Sequence, residues 1–94
     1  MGPANLDIPH SAESDAEGFE ILRVWIAHRR QHVTIKMGVW DDPTMWGMML
    51  ADLAQHIAIA FEQDEGREIQ ETLRLIRDGF QMEMSHPTAD LTSQ

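Results

Sequence analysis

Two short segments in the first half of the chain have distinctive patterns of hydrophobic and polar residues. Residues 19–27 are rich in β-branched and aromatic side chains, and residues 33–37 alternate strictly between apolar and polar. Both patterns are typical of β-strands, and residues 28–31 between them predict a hairpin turn. Because Arg29 and Arg30 are poorly suited to the positive φ angles of a tight two-residue turn, we expect a four-residue loop.

The alternation also predicts which residues share a face of the hairpin. We expect three apolar cross-strand pairs, namely Leu22 with Met37, Val24 with Ile35 and Ile26 with Val33. The same register sets Arg23 opposite Lys36 on a second, mixed face with Trp25 at its centre. We interpret that face as solvated, with a partner-binding or anion-binding face as the alternative.

A helical period replaces the alternation after residue 38. Asp41 and Asp42 precede Pro43, which is typical of an acidic N-cap followed by proline at the first helical position. Gly66 predicts the end of this helix. At 100° per residue, the apolar side chains fall in one arc about 140° wide, which we interpret as the core face. The arc consists of Trp46, Met49, Leu50, Leu53, Ala54, Ile57, Ala60 and Phe61.

A second helix is predicted over about residues 67–84, with one apolar stripe. The stripe consists of Ile69, Leu73, Ile76, Phe80 and Met84. Together these patterns predict an α+β fold, a ββαα domain over residues 19–84 in which the helices pack on one face of the sheet. Residues 1–18 predict a flexible acidic arm, and residues 85–94 a polar tail.

Two strands alone leave two open sheet edges, and pairing two hairpins across a two-fold axis solves this problem. We therefore expect a homodimer with a shared sheet. The side of the first helix away from its core face also carries large apolar side chains, which indicates a second buried surface. This outer stripe consists of Met45, Met48, Asp52, His56 and Ile59.

Two groups of residues suggest chemistry. Asp52 and His56 are four residues apart on one helix, and we interpret them as a structural pair, with an acid–base pair as the alternative. Trp40 and Trp46 flank the turn into the helix. We interpret them as closing a corner of the core, although together with Trp25 they are also suited to wall a small-molecule pocket.

Composition excludes several function classes. The 94 residues include 16 acidic and 7 basic side chains, a net charge of −9 that disfavours both nucleic acid and anionic membrane surfaces. No apolar run approaches the roughly 18 residues that span a bilayer, and the first residues do not resemble a signal peptide. The absence of cysteine fits a cytoplasmic protein. The five histidines are scattered along the chain, so we expect neither a metal nor a cofactor.

The segments LRVWIA and VWDDPTMWGMMLADLAQHIAIAF resemble a small bacterial domain family known only as a domain of unknown function. The most distinctive part is Trp40-Asp41-Asp42-Pro43 with Trp46-Gly47. The resemblance covers about residues 19–88 and implies no activity, substrate or catalytic residue.

The functional interpretation that these patterns favour is a non-enzymatic, dimeric interaction or scaffold module, with an unidentified protein partner as a further option. A small-molecule-binding domain with a tryptophan-lined pocket is the alternative, and an acid–base enzyme using Asp52 and His56 is less favoured. Whether the chain is an enzyme is left open, with the balance against it.

Overall fold

The hairpin and the two helices occur in the predicted order. A computed structural model describes residue 2 and residues 4–86, and within them the fold class is α+β, with an antiparallel hairpin before a pair of helices. The elements are α1 (His10–Glu13), β1 (Leu22–Ala27), β2 (Arg30–Ile35), α2 (Thr44–Glu65) and α3 (Ile69–Ser85). The chain divides into two units, Met1–Val39 and Trp40–Gln94.

The N-terminal arm contains one helical turn that the sequence pattern does not predict. Helix α1 follows Pro9, whose carbonyl accepts hydrogen bonds from the N–H groups of Ala12 and Glu13. At the other end of the chain, α3 continues to Ser85, and residues 87–94 of the predicted polar tail lie outside the described residues.

The predicted register of the hairpin is wrong by two residues. Strand β1 pairs with β2 so that Val24 lies opposite Val33 and Ala27 opposite Arg30. The reason is a two-residue turn at His28 and Arg29, whose φ angles are 53° and 63°. Such a turn matches the right-handed twist of the flanking strands, although a left-handed φ costs a residue with a Cβ about 1 kcal/mol.

A shift of two residues preserves the faces but changes the pairs. The apolar face still carries Leu22, Val24 and Ile26, with Gln31 now opposite Ile26. This face is largely exposed, and Ile26 retains 73% of its accessible surface. The prediction that helices cover this face therefore stays a prediction.

The predicted like-charge pair on the mixed face is also wrong. Arg23 lies opposite Thr34 and makes an ion pair of 2.7 Å with Glu20. The ammonium group of Lys36 lies 5.5 Å from the centre of the Phe19 ring, where the ring face attracts a cation. Arg23 and Lys36 therefore each have their own favourable contact.

The turn generates a prediction about stability. Replacing Arg29 with glycine should raise the free energy of unfolding by about 1 kcal/mol, because glycine adopts a positive φ without the Cβ penalty. Arg30→Gly is the matched control: it places glycine at the first residue of β2 and should lower the stability by up to about 1 kcal/mol. Urea unfolding of both variants measures the difference, and a destabilising Arg29→Gly would contradict the observed turn.

Small side chains define the contact between the two helices. Ala58 of α2 is completely buried, and Thr72 of α3 retains only 5% of its accessible surface. The Thr72 hydroxyl donates a hydrogen bond of 2.9 Å to the carbonyl oxygen of Glu68, so its burial leaves no polar group unsatisfied. Alanine and threonine at these positions permit close approach of the two backbones.

This contact lies to one side of the predicted core face of α2. Ala54 and Phe61 are half-buried as expected, but Leu50 and Ile57 retain 46% and 47% of their accessible surface, and Leu53 is also exposed. Helix α3 therefore does not cover these three members of the predicted core face, and what covers them stays a prediction. The residues that are most buried on α2 and α3 are small, and α3 leaves these larger side chains exposed.

Helix α3 begins with a side-chain cap. The Glu68 carboxylate accepts hydrogen bonds from the backbone N–H groups of Gln70 and Glu71. This satisfies donors that a helix N-terminus otherwise leaves free, and the negative charge favours that end of the helix dipole. Of the predicted stripe, Ile69, Leu73 and Ile76 are half-buried, whereas the later members, Phe80 and Met84, are exposed.

Two glycines with contrasting backbone conformations give the second prediction. Gly66 ends α2 with φ 68°, and a Cβ at this position meets no other atom within 4 Å, so Gly66→Ala should lower stability by about 1–2 kcal/mol through strain alone. Gly79 lies inside α3 with equally open surroundings, and Gly79→Ala should raise stability by up to about 1 kcal/mol.

Thermal unfolding of the two variants distinguishes these effects. Loss of stability in Gly79→Ala would contradict open space at that helix surface and would indicate close approach by another backbone.

Candidate functional site

The turn into α2 is built by the acidic residues that precede it. The Asp42 carboxylate accepts a hydrogen bond of 2.9 Å from the backbone N–H of Thr44. Pro43 already has helical dihedral angles, φ −57° and ψ −21°, and lacks the N–H that would otherwise need a partner. The predicted aspartate cap is confirmed for Asp42, whereas Asp41 is exposed and makes no such bond.

Trp40 and Trp46 are brought together at this turn. Their ring centroids are 5.3 Å apart with an interplanar angle of 83°, an edge-to-face contact of the kind that aromatic pairs prefer. Both side chains are half-buried. The contact supports the interpretation that these tryptophans close a corner of the helical unit.

The third tryptophan belongs to the hairpin unit. Trp25 lies in β1, directly opposite His32 of β2, and both are half-buried. The His32 imidazole Nε2 is 3.0 Å from the carbonyl oxygen of Ala27, so this nitrogen carries the proton and donates. This bond holds the imidazole beside the turn.

The outer stripe of α2 is exposed along its whole length. Its apolar members Met45, Met48 and Ile59 all retain more than a third of their accessible surface, with Met48 at 58%. At 100° per residue the stripe lies about 150° around the helix from Ala54, Ala58 and Phe61, the side that α3 covers. The second helix therefore cannot bury it.

Asp52 and His56 lie in this stripe but do not form the predicted pair. Both side chains are exposed, and no hydrogen bond or ion pair joins them among the described residues. A spacing of four residues brings two side chains within reach without fixing their rotamers, and solvation of two exposed polar groups competes with an exposed ion pair.

A second exposed stripe on α2 could not be recognised from the sequence as a surface. Leu50, Leu53 and Ile57 follow the spacing of an ordinary core stripe, and that periodicity is the same whether the covering element belongs to the chain or to a partner. Only the position of α3 shows that these residues are uncovered.

Charged side chains are sparse on α2 before its last turn. Between Thr44 and Phe61 the only charged residue, with histidine neutral, is Asp52. On α3, by contrast, Arg74 bridges Glu71 and Asp78 at 2.5 and 3.0 Å. The hydrogen bond from Arg74 lowers the pKa of the Glu71 carboxyl and, reciprocally, raises the pKa of the Arg74 guanidinium. These exposed pairs mark a solvated helix face.

Neither a metal cluster nor a membrane span is present in the part of the chain that the structure describes. There, no three histidine, aspartate or glutamate side chains converge as ligands. No described helix combines the length and apolar composition needed to cross a bilayer.

A family model described as "Domain of unknown function (DUF5076)" matches residues 5–88. The chain belongs to this family. The match includes the segment that carries the tryptophans, the cap and the outer stripe, and it extends into the N-terminal arm. No curated protein matches the chain significantly.

A solved structure shares the DUF5076 fold seen here. It is described as a "putative pyruvate dehydrogenase" from the photosynthetic bacterium Rhodopseudomonas palustrus CGA009, and it is 29% identical with a TM-score of 0.75. The alignment covers 100% of this chain and 96% of that chain. The two chains are thus similar over nearly their whole lengths.

The cap at the start of α2 generates the third prediction. Asp42→Ala should lower the free energy of unfolding by about 0.5–2 kcal/mol, because the N–H of Thr44 loses its acceptor. Asp41→Ala removes the same charge from the neighbouring position and should change stability much less. Urea unfolding at neutral pH measures both variants, and equal losses would show that the charge matters and the hydrogen bond does not.

Proposed function

We propose that this DUF5076 chain is a non-enzymatic, homodimeric interaction module whose main contact surface is the outer stripe of α2. The observation that carries the proposal is that Met45, Met48 and Ile59 are exposed on the side of the helix opposite α3. A solvated helix face normally carries charged and polar side chains, so large apolar residues there are typical of an interface.

The charge distribution favours a second copy of the chain as the partner. A chain with a net charge of −9 repels its own copies unless the surfaces that meet are nearly uncharged. The outer stripe of α2 meets this condition, because Asp52 is its only charged residue. Methionine side chains also adapt readily to a self-complementary contact.

A two-fold axis gives Asp52 and His56 a role. They lie two residues before and after position 54, so an axis that crosses the outer stripe at that level sets the carboxylate of Asp52 near the partner's His56 in an antiparallel pair of α2 helices. A contact between copies would then satisfy two groups that have no side-chain partner in the described residues of a single chain.

An acid–base enzyme is less well supported. That hypothesis requires Asp52 and His56 in one cleft with a reacting group between them, whereas both are exposed and unpaired. The enzymatic description of the structural neighbour belongs to that protein, and its similarity to this chain supports a common fold. For the small-molecule alternative, the edge-to-face contact of Trp40 with Trp46 favours packing over a pocket wall.

We also propose a cytoplasmic location in a bacterium. The absence of cysteine from all 94 residues is consistent with a reducing compartment, and the structural neighbour comes from a bacterium.

A single charge placed in the outer stripe tests the proposed dimer, which is the fourth prediction. Light scattering at micromolar concentration should give twice the 10.7 kDa mass of one chain. Met48→Glu should shift the protein to monomer, because the contact would bury an unpaired carboxylate at the cost of several kcal/mol. Gln70→Glu adds the same charge at an exposed position of α3 and should leave the dimer intact.

A wild-type protein that is monomeric in this experiment would contradict the proposal. A dimer that both variants retain would place the contact elsewhere than the outer stripe.

A further inference from the structure

The outer edge of β1 has free backbone groups that are suited to pairing with another strand. The N–H of Lys36 donates to the carbonyl of Ile21 at 2.9 Å, which extends the ladder beyond the strands and shows which residues face inward. Because inward and outward groups alternate along an antiparallel strand, Ile21, Arg23 and Trp25 bond towards β2. The N–H and C=O groups of Leu22, Val24 and Ile26 therefore point away from β2, along the free edge of β1.

An open cleft lies beside this edge, within the first unit. Residues 4–9 of the arm form one side, and residues 22–25 of β1 form the other. Because both faces of β1 contribute to the lining, the cleft follows the edge of the strand and does not lie over one face. Residues 4–8 form no backbone hydrogen bond with β1. Leu6 retains 92% of its accessible surface, and Ile8 and Val24 are also exposed.

We propose that β1 of a second copy occupies this cleft, pairing antiparallel with β1 across a two-fold axis that passes through Val24. The inference rests on the proposed homodimer and adds the strand and the register of a shared four-stranded sheet. With Val24 opposite the partner's Val24, the outward groups of Leu22 meet those of the partner's Ile26. Six backbone hydrogen bonds then form between the copies, from the three outward residues of each strand.

In this register the side chains of β1 make favourable contacts with those of the partner's β1. Leu22, Val24 and Ile26 continue one apolar face across the axis, and the mixed face sets Arg23 opposite the partner's Trp25. Beyond the strand, Glu20 faces the partner's His28. Each of these contacts occurs twice because of the symmetry, and each is neutral or attractive.

The outer edge of β2 is less suited to pairing with the same edge of a second copy. An equivalent axis through Val33 of β2 would set Arg30 opposite the partner's Lys36 twice, and like charges directly opposite each other are destabilising. It would also set Gln31 against the partner's Ile35 on the apolar face. The charges therefore favour β1 as the shared edge.

Cysteine substitution tests the inference directly, because the chain contains no cysteine of its own. A hydrogen-bonded pair on the axis has Cα atoms about 5.5 Å apart, within the range of a disulfide. Val24→Cys should therefore form a covalent dimer on mild oxidation at micromolar concentration. Val33→Cys, at the directly opposite position of β2, should stay largely uncrosslinked. Non-reducing electrophoresis and mass spectrometry measure the covalent product.

Proline substitution gives an independent measurement. Val24→Pro removes an N–H that points outward and is not needed within the hairpin, so the fold should survive while the dimer dissociation constant rises roughly a hundredfold through two lost hydrogen bonds. Val33→Pro makes the same change on the other edge and should leave the dissociation constant nearly unchanged. Circular dichroism verifies that each variant is folded.

The results separate this inference from the proposed function. Crosslinking of Val24→Cys but not of Val33→Cys supports the β1 pairing. Preferential crosslinking of Val33→Cys, equal crosslinking of both, or none in a protein that light scattering shows to be dimeric overturns it and leaves the homodimer standing. A monomeric wild-type protein overturns both.

Discussion

The physical constraint on which the rest of the structure depends is that α2 has more apolar surface than one neighbouring helix can cover. Apolar side chains surround most of its circumference, while α3 contacts the side that carries Ala54, Ala58 and Phe61. Exposed apolar area costs roughly 25 cal/mol per Å² relative to burial, so two uncovered stripes strongly favour association. A chain of this length also has little other core with which to offset that cost.

The contact between α2 and α3 shows why the uncovered residues are the large ones. Close packing of two helices depends on how near the backbones can approach, and the residues that are buried, Ala58 on α2 and Thr72 on α3, are small. Leucine and isoleucine on the adjacent stripe extend beyond this contact. The helical pair therefore buries its small residues and presents Leu50, Leu53 and Ile57 outwards. This arrangement is typical of a helix whose exposed apolar residues are covered by a further element or by a partner chain.

Local signals in the sequence predicted local structure well. Asp42 and Pro43 predicted the start of α2, Gly66 predicted its end, and the alternation around Val24 predicted which residues share a face of the hairpin. Each of these depends on a few neighbouring residues and on general backbone chemistry. The family resemblance is confirmed as well, because DUF5076 covers the same distinctive segment.

Features that depend on several competing terms were predicted less well. The turn at His28 and Arg29 adopts positive φ angles that propensity disfavours, and the twist of the two strands outweighs that cost, so the register moved by two residues. The side of α2 on which α3 packs depends on how closely the two backbones can approach as well as on the spacing of the apolar residues. Asp52 and His56 have the spacing of a pair, but in water their interaction is too weak to hold them together. The spacing of apolar residues on α2 likewise does not show whether another element of the same chain or a second copy covers them.

The dependence of unfolding on protein concentration tests the account's central claim, that a second copy covers the outer stripe of α2. If the chain folds and dimerises together, each tenfold dilution should lower the free energy of unfolding by about 1.4 kcal/mol per dimer, and the urea midpoint should fall with it. A midpoint that stays constant from high to low micromolar concentration would contradict the account, because it would show that the chain is equally stable without a second copy.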